Sequence, residues 1–148
     1  MQAANSTTPQ VKIAIIGAGF GGLAMAIRLL QNNIRDFVIL EKASVIGGTW
    51  RENQYPGAAC DVQSHLYSLS FSPKTDWSKR YAEAPEIYQY IQTLTAEHQL
   101  QPYIRFNTEV SAAHYLENLC LWQLTLNQNE TLTAQFVIFA SGPLHVPQ

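Results

Sequence analysis

Gly17-Ala18-Gly19-Phe20-Gly21-Gly22 fits the spacing G-x-G-x-x-G, with Gly17, Gly19 and Gly22 in the three glycine slots. In that pattern the first glycine permits a tight turn and the second lets the backbone approach a pyrophosphate. The third allows a helix to pack closely on a strand. Phosphate charge then rests against the free N–H groups and positive dipole end of the helix. Glu41 follows Gly22 by 19 residues. A carboxylate at that spacing accepts hydrogen bonds from a ribose diol and repels a 2′-phosphate. These residue types predict a dinucleotide site for FAD or NAD rather than NADP.

The elements that must position such a site are legible around it. Val11 to Ile16 (VKIAII) reads as a buried strand, and Leu23 to Leu30 as a helix apolar almost all round, hence buried on more than one side. Asn32-Asn33 stops that helix, and Phe37 to Glu41 gives a second strand parallel to the first, completing a Rossmann-type βαβ unit. Residues 44 to 65 contain Gly47, Gly48, Pro56 and Gly57 with no periodic pattern, and a loop of that length is usually functional. Tyr67, Leu69 and Phe71 alternate with serines, as in a half-buried strand. Pro85 opens an amphipathic helix with Ile87, Tyr90, Ile91 and Leu94 on one face. Short strand-like runs follow at Tyr103 to Phe106, Val110 to Tyr115 and Leu121 to Leu126, with a hairpin turn at Asn127 to Glu130. Phe136 to Ala140 reads as a further buried parallel strand. The expected class is α/β: a Rossmann-type parallel sheet plus a small antiparallel β-meander, in an incomplete domain.

Gly47-Gly48-Thr49-Trp50 decides between the two cofactors. It begins six residues after the ribose acid, where a plain NAD dehydrogenase would run into another helix. Small residues let this loop lie against a cofactor, and Trp50 can cover a flat ring system, which favours FAD. By type alone, Trp50, Tyr55 and Tyr67 suit a packed core as well as a cofactor shelf. Together with YPGAACDVQSHLYSLSF, WSKRYAEAPEIYQYI and the terminal FVIFASGPLHVPQ, these motifs resemble the Baeyer–Villiger monooxygenases and their flavin-containing monooxygenase relatives, in family order from Val11 to Gln148.

The resemblance implies specific roles. Gly17, Gly19, Phe20 and Gly22 match the FAD diphosphate turn, Glu41 the ribose ligand, and Gly48, Thr49 and Trp50 a loop lining FAD. Asp61 matches an aspartate near the reactive flavin edge and is the one catalytic candidate; it also suits a turn cap. Tyr67 matches a tyrosine beside the same ring. Ala59, Cys60 and Asp61 coincide with a stretch that meets the nicotinamide of NADPH, Val110 with a backbone contact to adenine, and Ser141-Gly142 with a turn near the diphosphate. Cys60 by itself reads as a small buried hydrophobe. The implied activity is NADPH-dependent insertion of one oxygen atom from O₂ into a ketone, amine or sulfide. The second NADPH-binding unit and the rest of the FAD domain, expected beyond Gln148, are partners this chain requires. The alternatives are a non-catalytic nucleotide-binding fragment and half of an NAD-dependent dehydrogenase.

Composition narrows the field. Charged residues make up 14% against about 25% in ordinary soluble proteins, and the net charge is −2. No electrostatic footprint for nucleic acid or anionic membrane is present. The polar opening, residues 1–10, reads as a disordered tail without a signal peptide, leaving 11–148 as the domain and the cytoplasm as the expected compartment. Cys60, Cys120 and the four histidines share no metal-ligand spacing, so no metal is expected.

Overall fold

The computed structural model describes residues 9–127 and 129–142; the expectations for residues 1–8, Gln128 and 143–148 lie outside it. β1 (Val11–Ile16) runs straight into the glycine turn, and α1 (Phe20–Gln31) leaves it. Asn33, with φ 59°, takes the left-handed conformation that asparagine tolerates and ends α1. β2 (Phe37–Leu40) then pairs parallel to β1, from Ile13 opposite Phe37 to Ile16 opposite Leu40. The βαβ unit forms as its sequence predicts.

Residues 44 to 65 are not wholly irregular. They hold the single-turn α2 (Thr49–Glu52) and lead into a 3₁₀ turn over Ser64–Leu66. α3 (Ala84–Glu97) starts at its proline and buries Ile87, Tyr90, Ile91 and Leu94, the face its periodicity predicts. β3 (Ile104–Arg105) adds parallel to β2, and β4 (Val110–Leu116), β5 (Leu121–Leu126) and β6 (Glu130–Phe139) follow as an antiparallel meander.

Parallel sheet and meander turn out to be one six-stranded sheet, ordered β3-β2-β1-β6-β5-β4. Ten residues make β6 long enough to serve both. It pairs antiparallel with β5 from Glu130 to Ala134, and parallel with β1 from Ala134 to Phe139. One apolar cluster joins Ile15 and Ile39 to Leu23 and Ile27 of α1 and Ile87, Ile91 and Leu94 of α3. A second joins Ala14 and Leu40 to Leu124, Leu126, Leu132 and Ala134 of the meander.

Three expectations are corrected. Residues 67–71 form no strand, only an isolated bridge between Leu69 and Ser72. A side chain satisfies this backbone instead of a ladder: the Leu69 N–H donates to Tyr90 Oη (2.9 Å), which donates to the Ser72 carbonyl (2.6 Å). The alternation arises because Tyr67, Leu69 and Phe71 each pack on the main core. Secondly, α1 buries one side only, leaving Met25 37% exposed. Thirdly, the Phe136–Ala140 run is not fully buried. Phe136 and Phe139 are 52% and 61% exposed, because past Ala134 the strand pairs with β1 but no longer with β5.

Ile91 is fully buried on α3 and Gln92 beside it is exposed. Ile91→Ala is expected to cost about 2–5 kcal/mol in urea unfolding. Gln92→Ala should stay within about 0.5 kcal/mol of the parent.

Candidate functional site

The C-terminal ends of β1, β2 and β6 open into a cleft of about 700 Å³, the position where open α/β sheets bind ligands. Its floor is the glycine turn. Gly17 has φ +104° and donates its N–H to the Leu40 carbonyl (2.8 Å). A Cβ there would lie 2.6 Å from the Ala140 oxygen, so only glycine lets the turn sit between β1 and β6. Gly22 is more constrained still: its Cβ would fall 1.9 Å from the Gly17 oxygen. Gly22 therefore lies beneath the cleft as the packing glycine and does not line it. Gly19 is the N-cap of α1, which no side chain caps and whose first turn holds no acid. The positive helix end is left facing the cleft.

The second wall is the Gly47–Trp50 loop. The Gly47 N–H donates to the Ala18 carbonyl (3.0 Å), and a Cβ on Gly48 would sit 3.2 Å from Gly19 Cα. The two glycine segments thus meet backbone to backbone, with no side chain between them at the helix end. Past them stand three rings. Trp50 Nε1 donates to Tyr67 Oη (3.1 Å), with ring centres 5.7 Å apart, and Phe20 lies edge-on to Tyr67 at 5.5 Å. Burial raises the Tyr67 phenol above its ordinary pKa, only partly offset by the Trp50 hydrogen bond, which keeps it neutral at physiological pH.

At the opposite end Glu41 is 4% exposed. Its Oε2 accepts the Ala18 N–H (2.8 Å); its Oε1 accepts the Ala43 N–H (3.0 Å) and faces Arg51 Nη1 at 3.3 Å. Burial opposes the Arg51 charge, but the Glu52 and Glu41 carboxylates outweigh it and hold the guanidinium pKa above normal. Arg51 also donates to the Val45 carbonyl (2.5 Å) and pairs with Glu52. The sequence does not single out Arg51. Its only signal is its place directly after Trp50, on a turn of helix too short to show periodicity.

The cleft brings together fourteen of the fifteen residues picked from the sequence: all except Gly22. Thr49 begins α2 and Val110 begins β4. Ala59 bridges to Glu83, Cys60 is 6% exposed, and its N–H donates to the Ala82 carbonyl (2.9 Å). Asp61 is exposed at the mouth beside it, and Ser141 and Gly142 are exposed where β6 runs out. Lys42, read as a solvated charge, also reaches the cleft wall and is exposed. Among the described residues no group of three or more His, Cys, Asp or Glu side chains could hold a metal, and no helix is long and apolar enough to cross a membrane.

Comparison with known proteins accords with this geometry. Residues 15–84 match an NAD(P)-binding Rossmann-like domain. A Baeyer–Villiger monooxygenase of Streptomyces coelicolor is 44% identical over 138 residues, 93% of this chain and 26% of that protein. One of Pseudomonas aeruginosa is 46% identical over 136 residues, 92% of this chain and 26% of its own. Over this span the chain is similar to the Baeyer–Villiger monooxygenases. A solved structure of OTEMO in complex with FAD and NADP superposes with a TM-score of 0.88 at 34% identity, covering 95% of this chain and 27% of that one. An open structure of cyclohexanone monooxygenase gives 0.84 at 37%, covering 91% and 27%. The chain spans about a quarter of the length of the curated relatives it matches.

Two substitutions test the cleft. Gly22→Ala drives its new methyl into the Gly17 carbonyl, a backbone atom that cannot yield, and should destabilise by more than the ~1–3 kcal/mol of ordinary overpacking. Arg51→Met leaves Glu41 without its counter-charge. In a double-mutant cycle with Glu41→Gln, urea unfolding should give a coupling of about 0.5–3 kcal/mol.

Proposed function

We propose that this cleft binds FAD, and that residues 11–148 are the N-terminal part of an FAD-binding domain in an NADPH-dependent monooxygenase. The carrying observation is the order of groups along the cleft: a buried ribose acid, a bare helix N-terminus flanked by facing glycines, then three aromatic rings. That order matches adenosine, diphosphate and isoalloxazine in sequence. The fit is also steric, since a Cβ on Gly48 would press on Gly19 Cα and push the loop away from the helix end. A flavin held there would supply the redox chemistry for transfer of one oxygen atom from O₂ to a ketone, amine or sulfide, with NADPH as the reductant.

The chain's own residues bind and orient. Gly17, Gly19 and Phe20 offer backbone to the diphosphate with Gly22 packing the helix beneath, and Ser141-Gly142 closes the turn from β6. Glu41 receives a ribose hydroxyl on the one Oε2 lone pair that Ala18 leaves open, Ala43 and Arg51 occupying Oε1. Val110 offers its backbone to adenine, and Gly48, Thr49 and Trp50 cover the cofactor. Tyr67, neutral and anchored by Trp50, holds the inner ring edge and helps exclude water. Ala59, Cys60 and Asp61 face the nicotinamide, with Asp61 at the reactive edge as the catalytic group.

The remaining domains of the same protein, a small organic substrate and O₂ complete the system; neither nucleic acid nor a membrane is a partner, and the compartment is the cytoplasm. The half-exposed Phe136 and Phe139 supply apolar surface for such domains to cover.

The protein that carries this chain should purify yellow and release flavin on denaturation. Glu41→Ala should lower flavin retention, and Asp61→Ala should slow NADPH-dependent oxygenation while leaving bound flavin unchanged. A colourless preparation that takes up NAD in place of FAD would overturn the reading.

A further inference from the structure

Five aromatic rings form an unbroken series that begins in the cleft and ends away from it. Trp50 meets Tyr67 with centres 5.7 Å apart, and Tyr67 meets Phe20 at 5.5 Å. Phe20 meets Tyr90 at 5.9 Å, and Tyr90 meets Trp77 at 5.7 Å. The first three line the cleft, Tyr90 is buried in the main core, and Trp77 packs on that core half-buried and outside the cleft. Both ends are indoles, the most readily oxidised rings among protein side chains, and every intermediate gap is a ring contact.

The surroundings of Trp77 are unusual in two ways. Its Nε1 is the one buried side-chain nitrogen or oxygen without a hydrogen-bond partner among the described residues. The Lys74 ammonium lies 5.0 Å from its ring centre, but Asp76 at 2.7 Å and Glu86 at 3.9 Å pair with that ammonium. These two carboxylates offset the ammonium charge that faces the ring.

We propose that this series is an electron relay that draws oxidising equivalents out of the cleft to Trp77. It rests on the flavin reading above, because the oxidant it serves is a hydroxyl-type oxygen radical released beside the bound flavin, which takes one electron and leaves as hydroxide. Trp50 gives that oxidant one electron and is refilled from Trp77 through Tyr67, Phe20 and Tyr90. No bond to hydrogen breaks. The Tyr90 hydroxyl donates to a carbonyl, which is not a base, and Trp77 Nε1 has no acceptor for its proton. Tyrosines and Phe20 therefore serve as bridges, and the vacancy rests on Trp77 as a radical cation until a dissolved thiol or ascorbate returns one electron. The relay spares the cleft's own side chains when oxygen chemistry there miscarries.

The test uses the full FAD-loaded protein, with blue light converting the flavin to a one-electron oxidant and transient absorption following the indole radical cation. The parent and Tyr90→Phe, which keeps the ring, should show a long-lived signal. Trp77→Phe and Tyr90→Leu should lose it while retaining flavin. An equal lifetime in flavin-loaded Trp77→Phe would overturn the relay alone, whereas a parent that holds no flavin would overturn the cofactor reading and the relay with it. Should the variants not fold, peptide mass analysis of the illuminated parent decides. Oxidised indole should accumulate at Trp77 over Trp122, whose ring contacts are Tyr115 and Phe139 outside the series; equal accumulation would count against the relay.

Discussion

One buried carboxylate ties the cleft together. Glu41 collects the N–H of Ala18 from the turn after β1, the N–H of Ala43 from the loop after β2, and the guanidinium of Arg51 from α2. A charge at 4% exposure is costly unless its lone pairs are occupied, so these three segments are held wherever the acid is. The backbone of Glu41 extends the same tie, donating to the Arg105 carbonyl and accepting from the Thr108 N–H. The acid end of the cleft, the glycine turn and the Gly47–Trp50 loop are thus positioned by a single side chain and its peptide groups.

The glycines act as the steric complement of that tie. Gly22 lets α1 descend onto Gly17, and Gly17 lets the turn nest against Ala140. Because β6 passes from the meander to the side of β1, this close approach also locks the two halves of the sheet in register. A glycine pattern often described as a phosphate cradle is here equally a junction between strands.

At the other end of the cleft, order comes from rings rather than charges. Trp50 and Tyr67 fix each other by one hydrogen bond and an edge-to-face contact worth about 0.5–1.5 kcal/mol beyond burial. Tyr90 extends the same contacts into the core while bonding the backbone of Leu69 and Ser72. That one hydroxyl explains why a segment with strand-like alternation is not a strand.

The sequence by itself determined the elements whose signal is local. The βαβ unit, the buried face of α3, the meander strands and the glycine and acid slots all follow from periodicity and spacing over a few residues, as do the motifs that assemble the cleft. Tertiary structure decided the rest. Whether Phe136 and Phe139 are covered depends on where β5 stops pairing, and whether residues 67–71 join a sheet depends on a tyrosine about 20 positions away. Arg51 acquires its place only when α2 folds back onto Glu41. The ring series from Trp50 to Trp77 joins four separate stretches of chain. Such contacts have no period or spacing, because they arise from the packing of elements against one another.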